Sequence, residues 1–194
     1  MHLVRDPLPG SHRRDGSAVS GMLPAVSGMR PAVRVLVCGN VDRRDDGAAI
    51  WAISHLLPNR SADELPGLNV VQCGQLDVDD LIDGGLGSPV LIVDTAVGVA
   101  PGQVVTLDFD SLLANPRPIA PHSSHALPID QVIGIARELV DGPVDGLFVG
   151  IGARDLGYGS KLSRPVREQM GEFVVAIEKA LMRLASMSVA TAAG

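Results

Sequence analysis

Apolar positions fall in two rhythms along this chain. Short runs rich in Val, Ile and Leu occupy residues 33–38, 68–73, 89–96 and 146–152. Each is of strand length, the pattern of strands buried within a sheet. Between them the spacing changes to that of a helix. Ala49, Ile50, Ile53, Leu56 and Leu57 form one stripe that stops before Pro58. Ile129, Val132, Ile133, Ala136 and Leu139 form another after Pro128. A third runs through Val166, Met170, Phe173, Val174, Ile177, Ala180, Leu181 and Leu184. Its start lies near Ser163-Arg164-Pro165, with Ser163 as the expected cap and Pro165 in the first turn. A short acidic helix is expected over 77–82, closed by Gly84-Gly85. Residues 103–107, after the turn Pro101-Gly102, predict an edge strand, and residues 114–121, rich in Pro, Asn and Arg, a loop.

The resulting order, β-α-β-α-β-β-α-β-α, predicts an α/β fold. It is a three-layer α/β/α sandwich around a mostly parallel, twisted five-stranded sheet with one antiparallel edge strand, phosphorylase/hydrolase-like. The uninterrupted run 89–96 is its expected central strand. Residues 1–31 fall outside this pattern. Ala18-Val19-Ser20-Gly21-Met22-Leu23-Pro24 is echoed by Ala25-Val26-Ser27-Gly28-Met29-Arg30-Pro31. A proline and a glycine in each unit exclude a coiled coil and leave a disordered extension as the expectation. The domain is then 32–187, with a flexible tail over 188–194.

A chain of 194 residues buries a core without disulfides or metal staples. With 46% hydrophobic but only 3% aromatic residues, that core is aliphatic. A net charge of −6 argues against nucleic acid and anionic membrane surfaces as partners. No apolar run approaches the roughly 20 residues of a membrane span, and no signal-peptide core is present. The expected location is cytoplasmic. Cys38 and Cys73 lie in strand runs and read as buried, reduced thiols. Placement on neighbouring strands would make them a redox pair.

In open α/β sheets, the loops at the carboxyl ends of the strands build the site. Three polar residues occupy such places: Asp46 after the first strand, Asp94 at the end of the central one, and His125 before the third helix. Two carboxylates and an imidazole make an incomplete coordination shell suited to Zn, Ni, Mn or Fe. Each also has a structural alternative. Asp45-Asp46 would cap a helix, Asp94 would bind loop amides, and His125 would pack. His122 is a further candidate ligand. The acidic run Asp77, Asp79, Asp80 and Asp83 reads as a solvated helix terminus ahead of a metal cluster. There is no Gly-x-Ser-x-Gly, no His-Glu-x-x-His, no phosphate loop with a lysine and no Gly-x-Gly-x-x-Gly. No nucleotide or organic cofactor is therefore expected.

Several of these segments together resemble the nickel-iron hydrogenase maturation endopeptidases. They are Gly39-Asn40 leading to Asp45-Asp46-Gly47, Ile92-Val93-Asp94-Thr95-Ala96, Pro101-Gly102, Ser123-Ser124-His125-Ala126-Leu127, and Gly159 with Leu162-Ser163. The resemblance implies a protease that removes a C-terminal extension from a hydrogenase large-subunit precursor once nickel has been inserted. Asp46, Asp94 and His125 would be its metal-binding and catalytic triad, and nickel would arrive on the substrate. Gly39, Asn40, Arg43, Arg44 and Asp45 would contact substrate, with solvated loop charge the alternative for both arginines. The protein would act as a monomer. Other readings are a metal-dependent peptidase or amidohydrolase with another substrate, or a non-catalytic metal or accessory docking protein. The chain departs from the family pattern at Val37, where the first glycine of Gly-x-Gly-Asn is expected. It departs again at Cys73-Gly74-Gln75-Leu76, in place of Asp-Gly-Gly-Thr. The second departure bears on substrate choice.

Overall fold

The computed structural model describes residues 33–56, 67–83, 87–114 and 127–192. The extension over 1–31 lies outside the described residues, as does most of the loop expected over 114–121. Strands β1 (Val33–Cys38), β2 (Leu68–Gly74), β3 (Val90–Ala96), β4 (Val104–Asp108) and β5 (Gly146–Gly152) form one sheet in the order β2-β1-β3-β5-β4. All neighbours are parallel except β4, which pairs antiparallel with β5 at the edge.

Alternation along the strands divides the core in two. Val33, Val35 and Val37 of β1, with Leu91 and Val93 of β3, face α1 (Ala48–Leu56) and α5 (Arg164–Ala192). Leu36, Cys38, Val90 and Ile92 face the opposite layer, where Leu81 of α2 (Val78–Ile82), Phe109 and Leu112 of α3 (Phe109–Ala114), and Val132, Ile133 and Ala136 of α4 (Ile129–Leu139) cover them. A sheet buried on both faces has no polar side, which is why β1 and β3 read as near-continuous apolar runs. Edge strand β2 alternates instead between exposed and half-buried positions. No helix among the described residues is long and apolar enough to cross a membrane.

Three details differ from the sequence expectation. Helix α3 is additional: the Asp108 carboxylate accepts the Ser111 N–H at 2.7 Å and starts a helix directly from the end of β4. Helix α5 continues to Ala192, past Met187 where a flexible tail is expected, because no glycine or proline interrupts those residues. Leu139, assigned to the buried face of α4, is 64% exposed because it lies in the last turn, beyond the helices that cover Val132 and Ala136. The acidic run around α2 is a cap. Asp77 accepts the Val78 N–H at 2.6 Å and its own N–H reaches Asp80 at 2.9 Å, closing a capping box.

Candidate active site

Strand β1 lies between β2 and β3. The chain steps outward from β1 to β2 and then crosses back to β3, so the strand order reverses between β1 and β3. A crevice opens at the carboxyl ends of the two strands on either side of such a reversal. The loop carrying Asp46 leaves from there, and Asp94 lies near the carboxyl end of β3.

The first loop is wound tightly on itself. Gly39 donates its N–H to the Gly74 carbonyl at 2.6 Å, which joins the ends of β1 and β2. Its φ is +114°, and a Cβ placed there would stand 1.9 Å from the Asp46 carbonyl oxygen. Only glycine allows the Asp46 backbone to come so near. Asn40, exposed, accepts the Asp42 N–H on its side chain at 2.9 Å and donates its own N–H to the Asp46 carbonyl at 3.2 Å. It is thus a turn-forming residue. The loop ends in a single 3-10 turn, Arg44–Gly47, that leads straight into α1.

Asp45 and Asp46 then go separate ways. Asp45 is 0% exposed, and its carboxylate accepts three backbone N–H groups: Arg154 at 2.9 Å, Asp155 at 2.9 Å and Ser163 at 2.6 Å. It clasps the segment between β5 and α5 to the first loop. Both Asp45 oxygens are thus engaged inside the protein. One expectation is corrected. Ser163 does not cap α5 with its hydroxyl, which is buried without a hydrogen-bond partner. The Ser163 amide is instead held by Asp45.

Asp46 is buried and lies on the Gly39 side of the turn, its Cγ 3.9 Å from where a Gly39 Cβ would stand. The Thr95 hydroxyl donates to the Asp45 carbonyl at 2.8 Å, which ties the end of β3 to the 3-10 turn. Asp94, next to Thr95, is half-buried and accepts the Thr95 N–H at 2.6 Å. That amide belongs to the next residue of β3 itself and not to a loop. The two acidic segments are thus held side by side at one sheet edge. His125 and His122 lie outside the described residues, as does most of the motif around them. Among the described residues no group of three His, Cys, Asp or Glu is placed to hold a metal.

Arg43 and Arg44 are both tied to the segment that follows β5. Arg43 donates from Nε to the Leu156 carbonyl at 3.1 Å, and its guanidinium lies 5.9 Å from the Tyr158 ring centre. Arg44 donates its backbone N–H to the Gly159 carbonyl at 2.6 Å and its Nε–H to the Tyr158 carbonyl at 3.2 Å, and it pairs with Asp155. The Asp155 carboxyl is held below its ordinary pKa, first by the Gly157 N–H that it accepts and then by Arg44. The loop over 154–163 is therefore part of the site's frame, a role sequence reading did not give it. Its signals were the turn residues Asp155, Gly157 and Gly159.

Beside the first loop lies an open groove of about 590 Å³ floored by Val41, Ile50, Trp51 and Met170. Arg44, Lys161 and Arg167 line it, and among the described residues no carboxylate does.

A doubly wound α/β sheet, with acidic groups gathered where its strand order reverses, is the frame of an enzyme. The particular family follows from comparison with known proteins. A family model for hydrogenase maturation proteases matches residues 71–180, and the chain belongs to that family. It is a peptidase. No curated protein matches. Among solved structures, the hydrogenase maturating endopeptidase HybD of Escherichia coli superposes with a TM-score of 0.63 at 20% identity, over 80% of this chain and 93% of that one. The [NiFe] hydrogenase maturation protease HybD of Thermococcus kodakarensis gives 0.58 at 25% identity, over 78% and 98%. HycI of the same organism gives 0.56 at 20%, over 80% and 95%.

Proposed function

We propose that this protein removes the C-terminal extension of a nickel-iron hydrogenase large-subunit precursor after nickel insertion, and that it recognises the nickel on that substrate. The supporting observation is the meeting of the Asp46 and Asp94 segments at the switch-point edge, in a chain of this family. In this reading His125 completes the set. Two carboxylates and one imidazole suit an ion that arrives with thiolate ligands of its own, since neither protein alone then supplies a full shell. Nickel held this way polarises the scissile carbonyl or activates the attacking water. A precursor without nickel docks poorly and stays uncut.

The groove beside the loop takes the extension itself. Its apolar floor suits side chains of an extended peptide, and Lys161 and Arg167 suit a carboxylate, Arg44 being already neutralised by Asp155. The test is cleavage of purified precursor with and without nickel, followed by mass spectrometry. The expected result is processing of the loaded precursor only. Asp46→Asn and His125→Ala should slow it by about 100-fold or more while circular dichroism stays native. Equal cutting of the nickel-free precursor, or full activity in both variants, would overturn the reading.

A further inference from the structure

Cys38 closes β1, and Cys73 stands one residue from the end of β2. The two strands pair regularly until Val37 meets Gln72, but Cys38 then meets Gly74, so Cys73 is the extra residue of a bulge. The bulge leaves the Cys73 sulfur 3.3 Å from that of Cys38, and both are free thiols. They are the only 2 cysteines of the chain. Forming a bond of about 2.05 Å then asks the sulfurs to approach by little more than 1 Å.

We propose that Cys38 and Cys73 form a modification site, a dithiol that a peroxide or a small disulfide oxidises to an intrachain disulfide. Cys73 is half-buried and Cys38 buried, so the reaction begins at Cys73. Its hydrogen bond to Cys73, its burial and the nearby Asp94 and Asp80 charges all hold Cys38 in the thiol form. With hydrogen peroxide, the Cys73 sulfur attacks one oxygen; the O–O bond breaks, a sulfenic acid forms and one water leaves. The Cys38 sulfur then attacks that of Cys73; the S–O bond breaks and a second water departs. Two thiols and one peroxide give one disulfide and two waters. With glutathione disulfide the products are the protein disulfide and two glutathione thiols.

The crosslink encloses the segment that carries the 3-10 turn and α1, and it lies next to the Gly39–Gly74 backbone bond. It therefore closes β1 onto β2 where the first loop leaves the sheet. None of this depends on the substrate proposed above.

The native full chain, treated with glutathione disulfide or one equivalent of hydrogen peroxide, is alkylated and digested without reductant for mass spectrometry. The expected product is a peptide pair linked through Cys38 and Cys73. Both thiols should disappear together and return with dithiothreitol. In Cys38→Ser, the Cys73–glutathione adduct should accumulate roughly tenfold above wild type, because the adjacent resolving thiol is gone. If wild-type protein stops at a Cys73 adduct or an intermolecular dimer, or links only after denaturation, the inference fails. The wild-type arm decides this even if the variant folds poorly.

Discussion

Replacing Asp45 by Asn tests the claim that this carboxylate is structural. The Oδ2 atom accepts two amides at 2.9 Å and Oδ1 a third at 2.6 Å. An asparagine keeps one oxygen, best placed on the pair from Arg154 and Asp155, and turns its NH₂ toward the Ser163 N–H. One charge-assisted bond, worth about 1.5–3 kcal/mol, is then lost and two donors face each other. The remaining bonds also lose their charge assistance. The sum is about 3 kcal/mol, and Asp45→Ala, with all three amides stranded, should cost about 5. For a domain of this size each kcal/mol moves the melting point by roughly 2–4 °C, so Asp45→Asn should melt about 6–12 °C lower. Thermal unfolding by circular dichroism measures this, and amide exchange should quicken at Ser163, Arg154 and Asp155. Ser163→Ala is the control: a capping hydroxyl would cost about 1 kcal/mol, whereas an unpartnered one should cost almost nothing. A melting point for Asp45→Asn within about 1 °C of wild type, with unchanged exchange, would refute the clasp.

Gly39→Ala forces a side chain against the Asp46 carbonyl at a left-handed φ; thermal melting should show a loss of about 2 kcal/mol or more, with precursor cleavage falling alongside it. Phe173→Ala empties a fully buried site between α5 and the sheet and should lower denaturant-measured stability by about 3–5 kcal/mol. Asp155 has a lowered folded pKa, so its contribution is present above the ordinary aspartate value of about 3.9 and is lost as pH falls through the depressed one. A carboxyl-carbon NMR titration should place its midpoint below that ordinary value. Arg44→Ala should leave most of the depression, since the Gly157 amide is its largest cause; a midpoint at or above about 4 would contradict this. Lys161→Glu with Arg167→Glu should raise the KM for precursor and spare kcat if the groove holds the extension.

The sequence alone determined the layers. Runs such as Val90-Leu91-Ile92-Val93 have no polar face, so they must be covered on both sides, and helical stripes between them supply the cover. The same local patterns placed Asp46 after one strand and Asp94 near the end of another, and hence at one edge, because parallel strands all end on the same side. Local pattern did not reveal helix α3, whose only signal was the single capping Asp108, nor that Leu139 lies past its covering helices. Tertiary structure alone decided what each acid does. Asp45 and Asp46 are adjacent and chemically identical, both are buried, and nothing in their immediate sequence says which one holds distant backbone amides. That depends on the amides of Arg154, Asp155 and Ser163, more than a hundred residues away along the chain. A carboxylate takes its role from the donors that surround it, and those donors are brought to it only when the chain folds.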